Sequence, residues 1–331
     1  MYIRDLQEGQ GFSSFFLVAE KQLQSFARKP GNFLSLVLQD KSGTVQAKVW
    51  ENADYLSRCF RVGDVVYASG SVGSFKGELQ LTITDLQKAV EGSYRLADLV
   101  PSTSRSIEEM KREVQALVKS VEDRYLRQLL GVFFGNEEIF EAFATAPAAK
   151  GVHQAYLGGL IEHTLNVWQF ARTAATLYPT FVDRDLLAVG VLLHDVGKIR
   201  EYSYQGVIEM TDVGRLLGHI IVGANWVQDA VAKIPGFPEE TAQRVLHMIV
   251  SHHGRLEYGS PKRPQTVEAC ILHQADMMDA QIAHFSELAQ ATAESGDSWS
   301  SFDRIIEGAV FIGSKGTKGE VAAAEEEELP F

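Results

Sequence analysis

Residues 191–198 read Val191-Leu192-Leu193-His194-Asp195-Val196-Gly197-Lys198. An imidazole and a carboxylate stand directly behind the apolar run 186–193, and Gly197-Lys198 stops the helix that this run predicts. A polar pair that ends so apolar a helix is costly to bury without a partner. Neighbouring helical residues point about 100° apart, so both reach one centre only near the helix end. The stretch predicts a metal site inside a helical domain, and such a site needs further ligands.

The flanking sequence supplies them. His163 sits in Gly158-Gly159-Leu160-Ile161-Glu162-His163-Thr164, at the start of a helix carrying Leu165, Val167, Trp168 and Phe170. His219 opens a helix over 219–234. His252-His253 closes a helix over 239–251, with Gly254 as its stop. Asp276 lies inside a helix over 266–288. Imidazole and carboxylate suit Mn²⁺, Fe²⁺, Co²⁺, Ni²⁺ or Zn²⁺. The cysteines, Cys59 and Cys270, are far apart in sequence and offer no thiolate pair. Two such ions a few ångström apart, bridged by a carboxylate, activate water and stabilise an in-line displacement at phosphorus. Asp195 is the carboxylate beside His194 in this set. Lys198, just behind it, is a candidate catalytic and phosphate-binding group, and His153 a second phosphate contact. His273, three residues before Asp276, reads as a support for a ligand. His247 and His284 read as structural or surface residues.

The helical pattern extends outward from these motifs. Ser106-Ile107-Glu108-Glu109 is a capping box. Apolar residues then recur at helical spacing in Val114, Leu117, Val118, Val121 and in Leu126, Leu129, Leu130, Phe133. Asn136 caps a further helix that ends before Pro147. Helix continues to about residue 290, and no alternation long enough for a sheet follows Ser106.

Upstream the period changes to two. Leu34, Leu36 and Leu38 alternate with Phe33, Ser35 and Val37. Lys41-Ser42-Gly43 is a turn, and residues 44–50 alternate again. Residues 52–60 predict a short helix, 65–72 and 79–85 two more strands. Residues 12–90 as a whole read as strands, so one more precedes Phe33. Five strands with a helix between the third and fourth is the order of an OB-fold barrel, which binds oligonucleotides. Phe33, Trp50, Tyr67 and Phe75 are its candidate base-stacking residues, and Lys48, Lys76 and Arg28 its candidate phosphate contacts.

The chain of 331 residues is long enough for both domains to hold separate cores. Its formal charge of −12 excludes a protein that coats nucleic acid by bulk electrostatics. Residues 1–90 nevertheless carry ten basic and nine acidic side chains, so the deficit lies downstream. No run approaches the ~20 apolar residues of a membrane span. The opening MYIRDLQEGQ has no apolar core and predicts no signal peptide. With so few cysteines, a cytoplasmic location is expected. The fold class expected is multidomain α and β: an N-terminal OB-fold β-barrel (1–90), a linker and helical connector (91–150), an all-α domain (151–313), and a disordered acidic tail (314–331).

The ordered set His163, His194-Asp195 and Asp276 resembles the HD superfamily, whose signature is H…HD…D. His219 and His252-His253 resemble its dinuclear subset. That resemblance implies one ion held by His163, His194, Asp195 and Asp276, and a second held by Asp195, His219 and one or both of His252 and His253. An OB barrel ahead of a dinuclear HD domain, with HQAYLGGLIEHTLNV, LLHDVGKI and SHHG, resembles the YhaM-type 3′→5′ exoribonucleases over about residues 1–300. It implies an all-α HD domain, a Mn²⁺- or Co²⁺-dependent hydrolase with two ions, single-stranded RNA and in some cases single-stranded DNA as substrate, and nucleoside 5′-monophosphates as product. Three other readings stay open: a phosphohydrolase of free nucleotides, a cyclic-dinucleotide phosphodiesterase, and a non-enzymatic nucleic-acid scaffold. A GYP motif, which marks one cyclic-dinucleotide group, is absent after His253. The chain ends in four glutamates and Leu329-Pro330-Phe331, similar to the acidic tip of bacterial single-stranded-DNA-binding proteins, and this implies a docking tip for protein partners. The oligomeric state stays open, a homo-oligomer included.

Overall fold

The computed structural model describes residues 1–26, 29–75, 77–149, 156–204 and 207–313. Arg28, Lys76, His153 and the acidic tail with Leu329-Pro330-Phe331 lie outside the described residues.

The period-two segment closes into a barrel. Its strands are β1 (Gly11–Ser25), β2 (Asn32–Asp40), β3 (Gly43–Val49), β4 (Val65–Phe75) and β5 (Glu78–Lys88), with helix α1 (Ala53–Cys59) between β3 and β4. They join in the order β1-β2-β3-β5-β4, and β4 pairs back onto β1. The β3–β5 pair is parallel and the others antiparallel. Leu34, Leu36, Leu38, Val45, Ala47 and Leu81 point inward and are buried. A closed barrel leaves no strand edge free.

The helical unit follows. It comprises α2 (Ile107–Ser120), α3 (Arg124–Phe134), α4 (Glu137–Thr145), α5 (Gly159–Leu177), α6 (Arg184–Leu193) and α7 (Lys198–Glu201). A two-stranded ribbon comes next, β6 (Tyr202–Ser203) paired with β7 (Glu209–Met210). It is too short to show as alternation in sequence. Then come α8 (Asp212–Ala232), α9 (Glu239–Ser251) and α10 (Val267–Ser295). Ser106 caps α2 by accepting from Glu109 N–H, and Asn136 caps α4 by accepting from Ile139 N–H. Helices α2 to α4 share one core with the later helices: Met110, Leu129 and Phe133 belong to the cluster of Leu160, Leu187 and Val245. Each fully buried side chain of this kind contributes roughly 1.5–3 kcal/mol.

Helix α6 is the centre of this unit. Its residues 186–193 are all buried, which is why it is apolar on every side. His194 and Asp195 therefore leave it into the middle of the domain.

Barrel and helical unit meet through Leu17, Val65, Leu99 and Val100, against which Leu157 and Val207 pack. Thr103 N–H donates to Leu157 O at 2.9 Å, and Leu157 N–H donates to Pro101 O at 2.9 Å. The expected linker is thus pinned at its end by a short parallel bridge.

Candidate metal centre

Each ligand candidate is placed by a helix end or a helix face. His194 caps α6, and His252 caps α9. His163 stands in the second turn of α5, and Asp276 on the inner face of α10. His219 follows a break: Gly218 has φ 72 and ψ 158, so α8 runs as two helical pieces with His219 opening the second. A side chain at Gly218 is disfavoured by that backbone. Gly197 is required for another reason. A Cβ there would stand 2.1 Å from His219 O, so only glycine lets the turn behind Asp195 approach α8.

These elements bring the candidates into two adjoining groups. His163, His194 and Asp195 offer ligand atoms within 4.8 Å of one another, and so do His219, His252 and His253. Asp276 Oδ1 joins the first group, 3.1 Å from His163 Nε2 and 4.0 Å from His194 Nε2. The Asp195 carboxylate divides between the groups. Its Oδ2 lies 3.3 Å from His194 Nε2 and 3.6 Å from His163 Nε2. Its Oδ1 lies 3.4 Å from His219 Nε2 and 3.6 Å from His252 Nε2.

The outer nitrogens fix the tautomers. A backbone carbonyl only accepts, so the imidazole facing it must donate from Nδ1. His194 Nδ1 donates to Val191 O at 2.7 Å, His252 to Ile249 O at 2.7 Å and His253 to Tyr258 O at 2.8 Å. Carboxylates do the same for the other two. His163 Nδ1 donates to Asp279 Oδ2 at 2.7 Å, and His219 Nδ1 faces both oxygens of Glu201 at 3.1 Å. In each ring this turns Nε2 toward the centre, the orientation metal-bound histidines take. His273 supports the arrangement from behind by donating from Nδ1 to His252 O at 2.8 Å.

Charge follows the same plan. Burial opposes ionisation of Asp195, but Lys198 and His194 outweigh it and hold the carboxyl well below the usual carboxylate range. Burial also opposes a charge on Lys198, and the Asp195 carboxylate restores it. Burial, then His253, holds His252 well below the usual imidazole range, and burial with His219 lowers His253. Both rings are thus neutral, as a ligand must be. Burial works against protonation of His163, yet Asp276 and Asp279 prevail and push it up to about 9.

Asp279 and Glu201 were not singled out from sequence. Asp279 lies three residues after Asp276, hence on the same helix face, and that spacing was a usable signal. Glu201 carries none, because its partner is reached only when α7 folds onto α8.

A second set of candidates meets on the barrel. The β2–β3 register pairs Leu34 with Val49 and sets Phe33 beside Trp50, ring centroids 5.1 Å apart. Phe26 completes the cluster, 5.3 Å from Phe33 and stacked on Trp50 at 6.2 Å. Lys48 Nζ stands 5.3 Å from the Phe33 ring and donates to Ser35 Oγ at 2.6 Å, and Lys29 covers Phe26 at 4.1 Å. Tyr67 is elsewhere, edge-on to Phe15. Phe75 ends β4.

Residues 160–281 match the family model of the HD domain, and residues 17–89 that of an OB-fold nucleic acid binding domain. The chain is 34% identical over 286 residues to the 3′-5′ exoribonuclease YhaM of Shouchella clausii, covering 85% of this chain and 86% of that one. It is 31% identical over 268 residues to the YhaM of a Geobacillus species, covering 81% and 82%. The chain belongs to the YhaM family of 3′-5′ exoribonucleases. A third member, from Listeria welshimeri, is 32% identical over 292 residues and covers 87% and 91%. Membership makes the chain a metal-dependent hydrolase with an OB-fold nucleic-acid-binding domain ahead of an HD domain.

The HD domain implies divalent metal, and the residues fit it. Asp195 Oδ1, His219 Nε2 and His252 Nε2 are buried with no hydrogen-bond partner among the described residues. An orphaned acceptor of this kind costs about 1–3 kcal/mol, and here three of them face one another. A cation removes that cost.

Proposed function

We propose that the chain trims single-stranded RNA, and single-stranded DNA where it is offered, from the 3′ end and releases nucleoside 5′-monophosphates. The observation that carries this reading is the division of the Asp195 carboxylate between two groups of histidines. One ion is assigned to His163, His194, Asp195 and Asp276. The second is assigned to Asp195, His219, His252 and His253. Mn²⁺ is the proposed metal, with Co²⁺, Ni²⁺, Fe²⁺ and Zn²⁺ compatible with the same donors. When bound, two divalent ions supply activation of water and neutralise charge on phosphorus.

The chain's own residues bind and orient. Lys198 is the cation placed to meet a non-bridging phosphate oxygen, since its Nζ already stands 2.7 Å from Asp195 Oδ2. His163 and His219 are held by Asp279 and Glu201, so neither ring turns away from the centre. Phe33, Trp50 and Phe26 stack bases, and Lys48 and Lys29 take backbone phosphates. The barrel then keeps the strand at high local concentration near the metals. Lys76 and His153 remain proposed phosphate contacts, and Leu329-Pro330-Phe331 a proposed docking tip. The working boundaries are a barrel over 1–90 and an HD unit that closes by 313. A cytoplasmic location is part of the proposal, and the free, exposed Cys59 and Cys270 are compatible with a reducing compartment.

The test is incubation with Mn²⁺ and end-labelled linear RNA beside circular RNA, free nucleotides and cyclic dinucleotides. The linear strand shortens from its 3′ end to 5′-monophosphates, and the others persist. Cleavage of the circle at a comparable rate overturns the exonuclease reading. Turnover of free or cyclic nucleotides alone moves the chain to the other phosphohydrolase classes.

A further inference from the structure

Beyond the metal centre, α10 carries a second feature on its outer face. Met278, Ile282, Phe285 and Ala289 follow one another at spacings of four, three and four. That is the seam spacing of a helix that packs on another helix. Met278, Ile282 and Phe285 are nevertheless exposed.

The chain beyond α10 extends this strip. Residues 298–312 turn back on themselves as a narrow hairpin. Ser300 N–H donates to Val310 O at 2.9 Å, Asp303 N–H to Gly308 O at 2.7 Å, and Ile312 N–H to Ser298 O at 3.0 Å. His284 of α10 anchors it, with Nε2 3.0 Å from Asp303 Oδ1. The hairpin turns its large apolar side chains to solvent: Phe302 is 70% exposed, Ile305 62%, Phe311 60% and Trp299 58%. Trp299 and Phe311 lie 4.7 Å apart across it. Between hairpin and helix runs an apolar groove of about 470 Å³, walled by Ile282, Phe285, Ala289, Val310 and Phe311.

A lone hairpin is marginal in water unless its apolar side is covered. A monomer also seldom exposes a continuous apolar strip of this size. We propose that this strip is the interface of a homodimer, in which two copies of α10 pair antiparallel about a twofold axis and each hairpin covers its partner. Three observations select a second copy of this chain. The exposed row is one uninterrupted apolar seam of a helix, which two copies can pack against each other about a twofold axis. Seven large side chains at roughly 100 Å² each present on the order of 700 Å² per chain, close to the ~800 Å² per partner of a stable complex. The strip also has little charge to attract a nucleic acid: residues 297–307 hold Arg304 against Asp297, Asp303 and Glu307.

The pairing has a consequence for the centre. Met278 lies between Asp276 and Asp279, on the opposite side of the same helix. A partner helix seated there leaves the ligands on the inner face untouched and sets two barrels and two metal centres in one particle.

The test is the solution mass of the full, Mn²⁺-loaded chain by light scattering or sedimentation at about 10 µM, a usual concentration against nM to µM interface affinities. Twice the 36.6 kDa chain mass is expected. Ile282→Glu with Phe285→Glu should weaken association roughly 30-fold or more, as loss of central apolar anchors does. Phe302→Glu, on the hairpin alone, should act in the same direction and guards against a helix variant that misfolds. Release of mononucleotides per chain from a saturating short oligonucleotide should persist in the Phe302→Glu variant. A monomeric wild type at that concentration overturns the proposal. So does a dimer that survives both sets of substitutions, or a different protein held on this face in place of a second copy.

Discussion

The Nζ of Lys198 lies 2.7 Å from Oδ2 of Asp195, three residues earlier in the chain. The pair is buried, and each member keeps the other charged. Lys198 is therefore a fixed cation beside the carboxylate that serves both groups of histidines. Lys198→Met should leave metal content near that of the wild type but lower kcat by roughly 10²–10³-fold, the usual loss for one charge-stabilising group. Single-turnover trimming of a short RNA reads this, and an unchanged rate removes Lys198 from the reaction.

Asp279 and Glu201 act through the rings they hold. Asp279→Asn should weaken one ion and Glu201→Gln the other, each by about 10–100-fold, as losses behind metal-bound histidines do. Competition with a calibrated chelator measures both affinities. If the two variants weaken the same ion, the assignment of His163 and His219 to separate ions is wrong.

Metal uptake should expel a proton. In the metal-free chain His163 is pushed up to about 9 by Asp276 and Asp279. A folded-state value above the unfolded ~6.5 contributes stability that is complete below that value. The contribution fades as pH rises through about 9. An ion competes for the same Nε2, so metal binding tightens as pH rises across this window. Mn²⁺ should raise Tm more at about pH 8.5 than at about pH 6.5. Calorimetric titration in buffers of different ionisation enthalpy should show net proton release, and proton uptake contradicts the state assigned to His163.

On the barrel, Phe33→Ala with Trp50→Ala should weaken binding of a long single strand far more than it slows a saturating short oligonucleotide. Stacking is worth about 1–3 kcal/mol per base, so two lost platforms cost one to several orders of magnitude in affinity. Fluorescence anisotropy with a labelled strand is the readout. Unaltered affinity places the strand elsewhere.

Much of this was legible in sequence because the signals are periodic or chemically out of place. Leu34, Leu36 and Leu38 announce a strand with one buried face. His194 and Asp195 are conspicuous behind an apolar helix, and the other histidine ligands stand at or near helix boundaries that glycines mark, whereas Asp276 stands inside a helix. The supporting residues are less visible. Glu201 meets His219 only through the close approach that Gly197 permits, a tertiary event with no local pattern. Phe26 joins Phe33 and Trp50 across a strand connection whose course alternation does not define. The hairpin of Trp299, Phe302 and Phe311 is aperiodic, tied to α10 by His284 with Asp303 and closed by the Trp299–Phe311 ring contact and a few hydrogen bonds.

The central claim is that one carboxylate serves two metal ions. Elemental analysis of the Mn²⁺-reconstituted chain, wild type against Asp195→Ala with native helical circular dichroism, addresses it directly. About two ions per chain are expected in the wild type and close to none in the variant, since each site loses its shared ligand. Full occupancy in Asp195→Ala would contradict the account.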